Sequence, residues 1–113
     1  MMLPRRNKVY LAVGTTDMRK SINGLSQLVA EIFGANIFEG NLFAFCNKRR
    51  DIIKILFWDR NGFCIWHKRL EKDHFLWPKS EQDVINIDSR QMSWLLAGLD
   101  INTAHKQLSY REI

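Results

Sequence analysis

The chain has 113 residues, 46% of them hydrophobic and 12% aromatic, which suits one domain with its own core and excludes both a disordered tail and a two-domain protein. It carries 17 Lys or Arg against 12 Asp or Glu, a formal charge of +5, with a pI near 9.5, a balance that favours an anionic partner such as nucleic acid. No apolar run reaches the roughly 18 to 20 residues that cross a bilayer, and the opening MMLPRRNKVYLAVG leads into polar TTDMRK rather than a cleavage site, so neither a membrane span nor a signal peptide is expected.

Residues 8–13 (KVYLAV) are rich in β formers and closed by Gly14, which predicts a strand. Thr15, Thr16 and Asp17 offer helix-capping side chains. Met18, Ile22, Leu25, Val29 and Ile32 follow at helical spacing, widened by Leu28 and Phe33, up to Gly34 and Asn36. After a turn at Glu39, Gly40 and Asn41, residues 42–46 (LFAFC) read as a strand. A charged loop, NKRRD, separates it from residues 52–58 (IIKILFW). This is the most hydrophobic segment, apolar on both faces, and is expected at the centre of the sheet. Asp59, Arg60, Asn61 and Gly62 form a hairpin turn, with the reversal expected at Asn61 and Gly62. Residues 63–70 (FCIWHKRL) return, and residues 74–77 (HFLW) read as a further short strand stopped by Pro78. Residues 84–87 suit an edge strand able to pair between chains. Asp88 or Ser89 caps a second helix carrying Met92, Leu95, Leu96 and Leu99 on one face. The expected fold is α+β: an N-terminal strand and helix, an antiparallel meander of about four strands and a C-terminal helix. Residues 1–100 form the domain and residues 101–113 a loose polar tail.

Charge is unevenly placed. Residues 48–72 hold eight Lys or Arg and three Asp or Glu, so the whole excess of five lies there, while the rest of the chain carries nine of each sign. Lys48, Arg49 and Arg50 precede one hairpin strand, and Lys68, Arg69 and Lys72 end the other. An antiparallel hairpin brings these two ends together, so the cations converge although about twenty residues separate them. Lys54 lies on the strand between. Trp58, Phe63 and Trp66 read either as base-stacking platforms or as core packing. Arg19 and Lys20, at the expected start of the first helix, read either as a second anion point or as a surface pair beside the cap Asp17.

Other chemistries find less support. Cys64, His67 and His74 are metal-ligand types, but positions 64 and 67 point to opposite faces of a strand and the spacing is not that of a zinc site. Cys46 and Cys64 lie in apolar runs and require no disulfide, which fits a reducing cytoplasm. The aspartates that could hold Mg²⁺ each have a turn or cap explanation. No phosphate loop, nucleophile motif or cofactor signature is present.

Three strings taken together resemble a known family: TTDMRKSINGLSQLV, then GNLFAFCNKRRDIIKILFWDRNGFCIWHKRLEKDHFLWP, then SRQMSWLLAGLD. They are similar to the small accessory protein, labelled TnpB, that the second open reading frame of insertion-sequence family 66 encodes. The resemblance covers roughly residues 9–100. It implies a bacterial, cytoplasmic protein that assists transposition, with a separate transposase cutting and joining the DNA. It carries over no functional residues. The combined expectation is a non-enzymatic factor, without cofactor or metal, that meets DNA at the element ends through Arg19, Lys20, Lys48, Arg49, Arg50, Lys54, Trp66, Lys68 and Arg69. The alternative is an adaptor that docks on the transposase, or on other element-encoded proteins, without touching DNA.

Overall fold

The computed structural model describes residues 8–34 and 37–101. Five strands form one mixed sheet in the order β4-β3-β2-β1-β5. They are β1 (Val9–Thr15), β2 (Leu42–Cys46), β3 (Ile52–Asp59), β4 (Gly62–Arg69) and β5 (Val84–Ile87). Two helices, α1 (Ile22–Leu28) and α2 (Ser89–Leu96), cover opposite faces. On the α1 face Leu25 and Val29 pack with Ala12, Phe43, Phe45 and Leu56. On the α2 face Met92 and Leu95 pack with Val9, Leu11, Leu42, Ala44, Ile53, Ile55 and Phe57. Successive residues of β1, β2 and β3 therefore feed two cores in turn, which is why these segments read as continuous apolar runs.

The α+β class holds, but the layout differs from the expected meander. β1 runs parallel to β2, the two joined through α1, and only β2, β3 and β4 are a simple antiparallel meander. The centre of the sheet is β2, all five of whose residues are buried; β3, which carries Lys54, lies second from the edge. Residues 74–77 are not a strand. Phe75 and Trp77 point into the α2-side core, and the Trp77 indole Nε1–H donates to the Ala12 carbonyl at 3.0 Å. After β4 the chain crosses one end of the sheet in this extended form to reach β5. That strand pairs antiparallel with β1, so one of its edges is occupied within the chain.

The hairpin reverses at Arg60 and Asn61, with Asp59 opposite Gly62. The residue in the left-handed region is Arg60, at φ 53°. This register sets Trp58 opposite Phe63, Leu56 opposite Ile65 and Ile55 opposite Trp66. A reversal one residue later would instead set Leu56 against His67, so apolar cross-strand pairing decides the turn.

Helix α1 starts four residues later than Met18. Asp17 caps a turn of its own, accepting from the Arg19 backbone N–H at 2.9 Å, and the helix begins after Ser21. Its last turn, Val29–Phe33, is a π-helix. The wider turn rotates the face, so Phe33 meets the rings of Tyr10, Phe43 and Phe45 while Ile32 is exposed. Helix α2 has a complete capping box between Asp88 and Gln91. It ends in a Schellman motif: Leu99 N–H donates to Trp94 and Gly98 N–H to Leu95, with Gly98 at φ 83°. Ile101, the last described residue, is buried in the α2-side core. The rest of the expected tail lies outside the described residues.

Candidate nucleic-acid interface

One end of the sheet collects the basic connections. β1, β2 and β4 end there and β3 begins there. The turn at residues 16–21, the loop at residues 47–51 and the start of the crossing segment after β4 therefore lie side by side.

Asn47 builds the loop. Its Oδ1 accepts from the backbone N–H groups of Asp51 and Ile52, both at 3.0 Å, and its Nδ2–H donates to the Asp51 carboxylate at 2.6 Å. This closes a side-chain-stabilised turn of the kind Asn favours. The Asn47 amide, with the Arg49 charge nearby, holds the Asp51 carboxyl below the usual carboxylate range. Arg50 sits in the left-handed region at φ 60°. Its guanidinium donates to the carbonyls of Val13 at 3.3 Å and Asn47 at 3.5 Å. The crossing segment is tied on by Leu70 N–H to the Asp51 carbonyl at 2.8 Å and by Phe75 N–H to the Arg50 carbonyl at 2.7 Å. His74 Nδ1 lies 2.8 Å from the Arg49 carbonyl oxygen, which can only accept. Lys48 and Arg49 project from this pinned loop, exposed.

The nine candidate residues do not form one surface. Lys54 and Lys68 lie on opposite faces, because Lys54 is opposite His67 while Lys68 is opposite Ile53. The Lys54 Nζ donates to the carbonyls of Met18 at 2.8 Å and Lys20 at 3.0 Å, clamping the turn before α1. The Lys68 Nζ donates to the Leu96 carbonyl at 2.8 Å, at the negative end of α2 where a cation is favoured. Trp66 packs, half-buried, against the α2-side core. Trp58 and Phe63 lie at the far, turn end of the hairpin, in edge-to-face contact with each other at 5.0 Å.

The remaining cations divide into paired and unpaired. Arg19 holds Asp17 in a two-pronged contact of 2.7 and 3.0 Å; that bond, the Arg19 backbone N–H and the charges of Arg19 and Lys20 press the Asp17 carboxyl down to about 2. Arg69 pairs with Glu71 at 3.1 Å, both largely exposed, an arrangement that water screens and an anion can displace. Lys20, Lys48, Arg49 and Lys72 are exposed, and their side chains have no hydrogen-bond or salt-bridge partner among the described residues. Beside Lys20 a cleft of about 250 Å³ opens between the end of β1 and α1, lined in part by Thr15, Thr16, Asp17, Leu28 and Asp83.

Two structural residues escaped the sequence reading. Asn47, which shapes the basic loop, stood in the string NKRRD as one more polar residue; Asn at the head of a loop is the signal that could have found it. Trp77, whose indole ties the crossing segment to β1, was hidden because the short apolar run HFLW before Pro78 reads as a strand.

The geometry sets several exposed cations at one rim, and among the described residues it assembles no catalytic set. Asp51 and Asp59 stand at opposite ends of β3, more than about 20 Å apart. Among the described residues no group of three or more His, Cys, Asp or Glu side chains is placed to hold a metal ion, and no helix is long and apolar enough to cross a membrane.

The chain belongs to the family described as IS66 Orf2 like protein, which it matches over residues 7–106. This is a family of accessory proteins encoded by insertion sequences rather than a known catalytic family. The chain is 37% identical over 112 residues to the uncharacterized protein y4hO of Sinorhizobium fredii (strain NBRC 101917 / NGR234), a match spanning 97% of this chain and 96% of that one. It is 32% identical over 101 residues to the uncharacterized protein y4jC of the same organism, spanning 88% of this chain and 86% of that one. No solved structure matches the chain.

Proposed function

We propose that this protein is a non-catalytic accessory factor for transposition that binds DNA, at the element ends or within the transposase complex, chiefly through phosphates. The observation that carries this reading is the rim of exposed, unpartnered cations, Lys20, Lys48, Arg49 and Lys72, at one end of the sheet. Phosphates need no shaped pocket; they need charge held in a fixed relation, and the Asn47 turn holds it. Arg19 and Arg69 join the set when a phosphate competes with Asp17 or Glu71. Arg50, Lys54 and Lys68 stand outside the set, since their side chains are spent on backbone carbonyls of the loop, the turn and α2.

With about four phosphate contacts, the log–log salt dependence of binding has a slope of about −3.6. The test is a salt titration of binding to element-end DNA by the wild type and by the triple variant Lys20→Ala, Lys48→Ala, Arg49→Ala. The slope is expected to flatten by about 2.7, at an unchanged melting temperature. An unchanged affinity and slope would refute the DNA reading. The second reading, an adaptor docked on the transposase, draws on Phe38, which is 60% exposed beside Trp58 and Phe63 at the end remote from that rim. Binding to DNA that occurs only when transposase is present, and that survives the triple variant, would favour it.

A further inference from the structure

β4 is an edge strand of eight residues (Gly62–Arg69), and among the described residues no strand pairs with its outer side. The phase of its hydrogen bonds follows from two anchors. The hairpin closes with Asp59 opposite Gly62, and at the other end Leu70 N–H donates to the Asp51 carbonyl. In an antiparallel ladder, hydrogen-bonded pairs alternate. Residues 62, 64, 66, 68 and 70 therefore direct their backbone groups toward β3. Phe63, Ile65, His67 and Arg69 direct theirs outward, a row of four N–H and four C=O groups.

Natural sheets blunt such edges with short strands or proline. β5, four residues long, meets that description; β4 does not. The lysine within it, Lys68, is turned beneath the sheet to the Leu96 carbonyl and leaves the edge open. The strand is also chemically polar along its length. At its turn end Phe63 sits in a cluster with Trp58 and Phe38. At its other end are His67 and Arg69, on the same face of the sheet as Phe63, since alternate residues share a face.

We propose that β4 pairs antiparallel with β4 of a second copy of this chain, joining two five-stranded sheets about a two-fold axis at Ile65. Two requirements limit the register. Paired residues must share a face, so their numbers must sum to an even value, which in this strand also sets outward-pointing residues against one another to exchange hydrogen bonds. The cationic end of one strand must avoid the cationic end of the other. Centring on Ile65 meets both, with an apolar pair on the axis: Ile65 faces Ile65, Phe63 faces His67 of the second copy, and Arg69 of the second copy reaches diagonally toward Phe63, within range of a cation–π contact. A parallel pairing would instead stack Arg69 on Arg69. The interface is small and mainly backbone-mediated, so the dimer dissociates in the micromolar range. The proposal is independent of DNA binding.

The test is sedimentation of the full chain from low to high micromolar concentration, alongside His67→Pro. Proline at 67 deletes only an outward N–H, so it spares the β3–β4 ladder. The wild type is expected to shift from a 13.4 kDa species to one of twice that mass, and His67→Pro to stay monomeric with an unchanged circular dichroism spectrum. A wild type that remains monomeric, or a folded His67→Pro that still dimerises, would overturn the proposal. Should His67→Pro fail to fold, amide exchange of the wild type decides. The N–H groups of Phe63, Ile65 and His67 are expected to gain protection on concentration while those of Cys64, Trp66 and Lys68 stay protected throughout. Equal exchange of the first set at both concentrations would overturn it.

Discussion

The cations on the hairpin strands and the cations at its open rim differ in what surrounds them, not in residue type. Lys54 and Lys68 rise from paired strands onto opposite faces, where each Nζ meets a backbone carbonyl left over at a helix end or turn. Lys48 and Arg49 occupy a loop whose backbone is tied down by the Asn47 side chain and by the crossing segment, and their side chains face water. A lysine becomes structural when the pleat points it at an unsatisfied carbonyl, and becomes available to a partner when the local backbone is already satisfied. The pleat alone rules out a single surface containing both strand lysines.

Three substitutions sharpen this contrast, in decreasing order of expected effect. Asn47→Ala removes both acceptor bonds that shape the loop and frees the Asp51 carboxylate. It should destabilise the protein by about 1–3 kcal/mol in denaturant melts and flatten the salt slope of DNA binding, although no cation is removed. Lys68→Met keeps the aliphatic stem and leaves the Leu96 carbonyl without its donor. It should cost about 1 kcal/mol of stability and leave the salt slope unchanged. Asp17→Asn acts least. The Asp17 carboxyl is held down at about 2 against an ordinary 3.8. A depressed carboxyl stabilises the fold above its unfolded value, and that contribution is lost as pH falls through the folded one. The wild-type turn at residues 16–20 should therefore loosen between about pH 4 and pH 2, read from the carboxyl-carbon titration and the Arg19 side-chain resonance. Asp17→Asn should show no such transition.

Much of this was legible in the sequence because local pattern and tertiary structure agree. The β formers of residues 8–13, 42–46 and 52–58, the DRNG turn, the capping residues of α2 and the meeting of cations at the hairpin's open end all follow from local chemistry. What was not legible depends on partners distant in sequence. The strands of residues 8–46 do not themselves announce that β1 lies parallel to β2, since a buried strand reads the same whichever way its neighbour runs; the helix between them is the signal for it. The ranking of β3 as central came from its hydrophobicity, yet β2, shorter and free of charge, holds that place. The extended form of HFLW is real, but it serves two side chains pressed into the α2-side core and an indole bond to Ala12 rather than a ladder. Lys54, Lys68 and Arg50 were grouped with Lys48 and Arg49 by charge, and only the carbonyls they reach, contributed from 28 to 37 residues away, separate them.

The most direct test sets the two kinds of cation side by side: salt titrations of element-end DNA binding by the double variants Lys48→Ala, Arg49→Ala and Lys54→Met, Lys68→Met, at a temperature where both are folded. The rim pair should flatten the slope by about 1.8, the value for two lost phosphate contacts, and the strand pair should leave it at the wild-type value. Equal flattening by both pairs, or flattening by the strand pair alone, would contradict the assignment of the open rim as the DNA-facing surface.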